Sequence, residues 1–244
     1  MQRVGQYALI VDDLRFRVDS ANMEVQTEWE GPGRWRSRTA GGEACIESGA
    51  TRFEIHASDP VEITLDRGRA TTVWTGATRS GGERAFFSLI AGEGTEGAPI
   101  RCARIGDRAA ALGLPEPAVA VAGSYKGIEG DLVVLASDRL FGLGIEEAAV
   151  GETLLSSDVP IDVDWDFQTG AIELVAGAET TVQAAFVEAD DVLLDGSPLS
   201  FETAADSLIA FRVPEGRHFL TQARPATDVI SGTVGDLTTL LSEA

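Results

Sequence analysis

The chain has 244 residues, 44% of them hydrophobic, and its 39 acidic side chains outnumber 19 basic ones to leave a net charge of −20. That hydrophobic share excludes general disorder. The acidity excludes the basic surface that nucleic acid requires, and it disfavours anionic membranes and polyanionic ligands unless arginines cluster locally. No apolar run is long enough to cross a membrane as a helix. Lys126 is the single lysine beside eighteen arginines, which reads as a compositional bias with salt adaptation as its companion rather than as a functional signal.

In chain order the sequence reads as short strands separated by turn residues. YALIVDDLRFRV, Tyr7 to Val18, is one long strand or two with a break at Asp12-Asp13. NMEVQTEWE alternates Met23, Val25, Thr27 and Trp29 with polar residues, as a half-buried strand does. GPG and TAGGE are turns, and four short segments follow between Cys45 and Trp74. RAFFSLIA is continuously apolar, the pattern of a strand covered on both sides. GEGTEGAP is a loop, and residues 100–114 are expected to hold a strand and a helical turn at Asp107 to Leu112. Beyond Pro117 the β pattern resumes, and only the tail from Thr233 to Ser242 has a helical pattern. Many closely spaced short strands predict an all-β fold with little helix, either one large antiparallel β-sandwich or two sandwiches in tandem. The expected division is an N-terminal β-sheet region over 1–98, a C-terminal sandwich region over 99–230 and a tail over 231–244, unless all form one continuous domain.

The segment DVPIDVDWDFQTGAIE raises a question of chemistry. Asp162, Asp164, Asp166 and Glu173 fall at positions 1, 3, 5 and 12 of a calcium loop. The sharp turn of such a loop needs glycine at position 6, where this chain has Phe167, and Pro160 disfavours a helix upstream. The alternation fits a strand instead. Ile161, Val163, Trp165 and Phe167 then share the buried face, the aspartates share the wet face, and Gln168-Thr169-Gly170 turns the chain back. A Ca2+ ion on Asp162, Asp164 and Asp166 is the competing reading.

Two stretches together carry a resemblance. The opening YALIVDDLRF with its following Trp29 strand, and the closing DDVLLDGSPLSF…LIAFRVPEGRHFL, resemble the large β-sandwich (supersandwich) region of heparinase II/III-type polysaccharide lyases and the closing strands of sandwich domains in other carbohydrate-active enzymes. The resemblance implies an architecture and an ancillary role in glycan processing. Those lyases carry a helical toroid ahead of the sandwich and a histidine shortly after the opening strand. Residues 19–40 contain no histidine, so no catalytic residue transfers.

Candidate residues are few. Trp35, between Arg34 and Arg36 and just past Trp29-Glu30-Gly31-Pro32-Gly33, is the best candidate for a loop aromatic able to stack on a sugar ring, with Trp29, Arg34 and Arg36 beside it, and its competing reading is core packing or a loop anchor. His218 in PEGRHFL is a candidate base, and Tyr125 in GSYKG a candidate partner; the competing reading of both is structural. No GxSxG elbow occurs. Two histidines and two distant cysteines, Cys45 and Cys102, offer no zinc pattern; the cysteines read as two buried thiols, with a single disulfide as the alternative.

The sequence therefore predicts a non-catalytic β-sandwich module, carbohydrate-associated in binding or structure, with a polysaccharide or oligosaccharide partner and no obligatory cofactor. The alternatives are a glycan-degrading lyase or hydrolase (or its accessory subunit) and a self-assembling structural protein, a homo-oligomer built on its edges. No signal peptide is visible at the start. A piece of a longer exported protein would be extracellular or periplasmic, and otherwise the chain is cytoplasmic.

Overall fold

In a computed structural model the described residues are 2–4, 7–30, 34–38, 43–48, 51–66, 68–92, 100–114, 117–150, 152–187, 189–205 and 208–225. The tail, the loop at 93–99, and the side chains of Arg36 and Cys45 lie outside them. Among the described residues the fold is all-β and antiparallel, with one short 3-10 turn at Ala189–Asp191. It divides into two compact units, Met1–Pro115 (with Ala244) and Glu116–Glu243.

The first unit contains β1 (Gln2–Val4), β2 (Tyr7–Arg15), β3 (Ser20–Glu30), β4 (Arg34–Arg38), β5 (Glu43–Ser48), β6 (Thr51–Ala57), β7 (Glu62–Asp66), β8 (Arg69–Thr78), β9 (Glu83–Gly92), β10 (Arg101–Gly106) and β11 (Ala109–Gly113). One sheet runs β1-β2-β9-β6-β5-β4 and a second runs β3-β8-β7. Strand β2 is unbroken. It pairs with β9 in one register from Tyr7↔Ala91 to Arg15↔Glu83, so Asp12-Asp13 does not interrupt it. Central β9 is covered on both faces, as its apolar run predicts. Its Phe86 meets Trp74 of β8 edge to face at 5.3 Å, while Phe87 and Leu89 are buried from the other side.

The helical turn expected at 107–112 is instead the second half of a hairpin. Asp107-Arg108 turns β10 into β11, and Ala109 to Leu112 are fully buried. Alanine's helix propensity is worth less than burying a strand on both faces, so tertiary packing overrides it. Backbone bonds from Arg104 N to Ser58 O (3.1 Å) and from Ala85 N to Asp107 O (3.0 Å) fasten this hairpin to the strands around it.

The second unit contains β12 (Ala118–Tyr125), β13 (Ile128–Ala136), β14 (Arg139–Val150), β15 (Glu152–Asp166), β16 (Ala171–Ala176), β17 (Thr180–Ala185), β18 (Leu193–Leu194), β19 (Ser197–Pro198), β20 (Phe201–Ala205), β21 (Leu208–Val213) and β22 (Gly216–Thr221). A continuous path runs β12-β13-β14-β15-β16-β22-β18-β19, and β17-β21-β20 branches from β15. Strand β15 carries the branch because it is long and changes partner midway. Leu155–Ser157 pair with β17, and Ile161–Asp166 pair with β16. Pro160 lies in the gap between them. On the β14 edge the register also shifts there, between Ile145↔Ile161 and Glu147↔Ser156. A residue with no N–H is tolerated where ladder bonds are absent, so the proline marks the bend.

The core of this unit gathers on the alternation read from the sequence. Ile161, Val163, Trp165 and Phe167 are all buried. Trp165 meets Phe167 and Phe186 edge to face, and Phe186 stacks on Phe211 of β21. The indole N–H of Trp165 donates to Ala223 O at 2.7 Å, so its one polar atom is satisfied.

Candidate ligand-binding face

The opposite face of the same strands is open. The register aligns Phe141 of β14 with Asp164 of β15, Asp164 with Glu173 of β16, and Glu173 with Phe219 of β22. Residues directly opposite on neighbouring strands stand side by side on one face. The result is a straight row of aromatic, carboxylate, carboxylate, aromatic. Its rings are three strand spacings of ~4.8 Å apart, about 14 Å. Phe219 is 49% exposed and Phe141 is half-buried. Arginines hold both central acids. Arg139 grips Asp164 with two bonds, at 2.7 and 2.5 Å, and Arg217 lies 3.2 Å from Glu173.

Each aspartate of the calcium-like spacing has a hydrogen-bond partner in the fold. Asp162 accepts the backbone N–H of Gly144 at 2.9 Å, Asp164 takes Arg139, and Asp166 accepts the N–H groups of Gln168 and Thr169, capping the turn into β16. Glu173 stands on the neighbouring strand across from Asp164 rather than closing a loop. Among the described residues no three His, Cys, Asp or Glu side chains form a metal-sized group.

The two closing strings that carried the resemblance meet at the edge of this face. Asp195-Gly196 is the two-residue turn between β18 and β19, with φ of +52° and +79°. Both values are positive, as the tight hairpin turn of this type needs, and Asp and Gly are the residues that accept them. The Asp195 carboxylate accepts from His218 Nδ1 at 2.7 Å and from the Phe219 N–H at 2.9 Å, and Asp195 N donates to Phe219 O at 2.8 Å. The His218 bond, followed by the Phe219 N–H, holds the Asp195 carboxyl below its ordinary value. The second ring nitrogen of His218 lies 3.1 Å from Pro214 O. Both nitrogens are thus occupied, and the pair staples a hairpin to β22 and fixes the backbone under Phe219.

Tyr125 is elsewhere. It precedes Lys126-Gly127, a second turn with both φ values positive (+46° and +81°), and the Lys126 ammonium lies 5.4 Å from its ring. Strands β13, β14, β15 and β16 separate β12 from β22 in the sheet, so Tyr125 and His218 do not share a site. In the first unit, Trp35 is in strand β4 opposite Ile46, not in a loop, and it is half-buried with an indole N–H that is buried and unpartnered. Arg34 is exposed. Trp29 belongs to the other sheet, opposite Ala70, with its N–H 3.4 Å from Thr72 Oγ1. The four residues of that proposed platform therefore divide between two sheets.

The densest charge cluster is one the sequence reading missed. Buried Asp59 takes Arg104 through Nε (2.6 Å) and Nη2 (2.5 Å), Arg84 through Nη2 (2.6 Å), and the Ser58 hydroxyl (2.7 Å). The Arg84 guanidinium lies 4.8 Å from the Trp74 ring centre. Burial pushes the Asp59 carboxyl up, but Arg104, Arg84 and Ser58 together outweigh it and hold the group below its ordinary value. The adjoining void is only about 20 Å³, room for about one water. The cluster binds the β10–β11 hairpin to β9 and leaves no space for a ligand. Nearby, burial and the Asp59 charge raise the free thiol of Cys102 to about 12.

Compared with known family models and with curated proteins, the chain matches none.

Proposed function

We propose that this protein is a non-catalytic β-sandwich binding module and that its ligand is a glycan chain laid across β14, β15, β16 and β22. One observation carries the reading: the Phe141–Asp164–Glu173–Phe219 row on an open sheet face. Sugar rings present C–H groups that pack on aromatic faces and hydroxyls that bond carboxylates and guanidinium groups. The row supplies aromatics at its ends and charge-paired acids and arginines between them. The arginines fix the carboxylates in place before any ligand arrives, which lowers the ordering cost of binding. A net charge of −20 favours a neutral glycan over a uronate polymer. The non-catalytic half of the reading draws on the engaged state of the chemical groups: His218 has both nitrogens bonded and Asp59 is gripped by two arginines. The resemblance to carbohydrate-active sandwiches agrees with this role without specifying a polymer.

The test is a panel of neutral and uronate-containing polysaccharides, scored for retention of the protein in affinity electrophoresis and for release of reducing or unsaturated ends. Retardation by neutral glycans without product is the expected result. Product release would replace the binding module with an enzyme, and binding confined to uronate polymers would overturn the assigned ligand class.

A further inference from the structure

We infer that the second unit holds a separate pocket for a small zwitterion, a ligand with a carboxylate and an ammonium on an apolar frame. The pocket is a cleft of about 550 Å³ lined by the segment from Ser197 to Glu202 together with Leu194, Thr181 and the strand from Ala210 to Arg212. That volume falls in the range of small-molecule sites, roughly 300–1,000 Å³. Its apolar side comes from Leu194 and Pro198 of the β18–β19 hairpin, while Phe201 and Phe211, directly opposite on β20 and β21, share the other face of those strands.

The charges decide the ligand class. Glu202 and Arg212 line the same cleft on adjacent strands. Glu202 pairs in register with Ala210, two residues from Arg212, so the acid and the base are diagonal neighbours roughly 7–8 Å apart at their roots. They do not close on each other. The Arg212 guanidinium reaches only Glu179, at 3.9 Å with both heads largely exposed, and no ion pair among the described residues engages Glu202. An open cation and an open anion beside the apolar hairpin residues Leu194 and Pro198 complement a ligand whose own opposite charges flank an apolar body. A lone anion would gain Arg212 but meet Glu202, Glu179 and the negative field of the whole chain; a lone cation would leave Arg212 unused. An amino acid or dipeptide has the required chemistry. This site shares no residue with the Phe141–Phe219 row and stands independently of the glycan reading.

The test is a titration of the 15N-labelled full chain with the dipeptide leucylleucine, followed by amide chemical shifts. Acetyl-leucine amide, which has neither charge, serves as the control ligand. Saturable shifts at Phe201, Glu202 and Arg212 with the dipeptide, and none with the control, are expected. Glu202→Gln and Arg212→Gln should each weaken binding about fivefold, the scale of one exposed charge contact, and Glu129→Gln, an exposed charge on β13, should leave it unchanged. Absence of saturable shifts, equal binding of the uncharged control, or unaltered affinity in both charge variants would each overturn the pocket. Both substituted side chains are exposed, and the spectrum of each variant reports directly that it is folded.

Discussion

Asp59 and Asp195 show how differently two carboxylates are used. Asp59 is buried and its charge is matched by two arginines, whereas Asp195 is half-exposed at a hairpin tip. Both are held below the ordinary 3.8. As pH falls, the unfolded chain therefore takes up these protons first. The stability that the two groups contribute is complete above about pH 5 and is lost as pH drops through their lower folded values. Urea midpoints measured from pH 6 down to pH 3 should fall, and Asp59→Asn should flatten that fall. At neutral pH, Asp59→Ala should cost about 2–3 kcal/mol, because it removes the carboxylate that pairs the partly buried Arg84 and Arg104. Cys102, raised to about 12 and buried, should resist alkylation at pH 8 in the folded protein and react on denaturation, readable by mass spectrometry.

At the scale of the element, the hairpin Leu193–Pro198 depends on its tip. Asp195→Asn keeps a residue that tolerates positive φ but removes the charge that His218 and the Phe219 N–H share. It should destabilise by about 1 kcal/mol after allowance for exposure and speed hydrogen exchange at the Phe219 amide. This scale also shows what could be read from the residues alone. Ile161 to Phe167 was legible because a period of two distinguishes a strand from a helix whatever the partners, and the Gln168-Thr169-Gly170 turn was legible because glycine accepts a positive φ, here +68°. Ala109 to Leu112 was not, since an alanine run has no period and its burial comes from other strands. The row of Phe141, Asp164, Glu173 and Phe219 depends on pairing register, which no local pattern carries. The Asp59 cluster joins residues 25 and 45 positions apart, and its only sequence trace is charge placed inside apolar strands.

The molecule as a whole carries 39 acids on a surface that its arginines neutralise only in part. Self-repulsion on this scale opposes the compact state. Raising ionic strength from 0.1 to 1 M shortens the screening length from about 10 to ~3 Å, so repulsion between surface acids is relieved while the buried Asp59 pairs are little affected. The melting temperature should rise by several degrees over that range, measured by calorimetry; an unchanged or falling value would mean that surface ion pairs outweigh the excess acid. The same field bears on the proposed ligand class, because it would repel uronate chains and leave neutral sugars free to approach.

The most direct measurement of the central claim is the affinity of the intact chain and of its Phe219→Ala variant for the neutral glycan that retards it most, by calorimetric titration. Removing the exposed ring should weaken binding about tenfold, equivalent to ~1.4 kcal/mol, with the fold intact by its unchanged far-UV circular dichroism. Equal affinity in the two proteins, or no binding of any glycan by the intact chain, would contradict a glycan-binding face on β14, β15, β16 and β22.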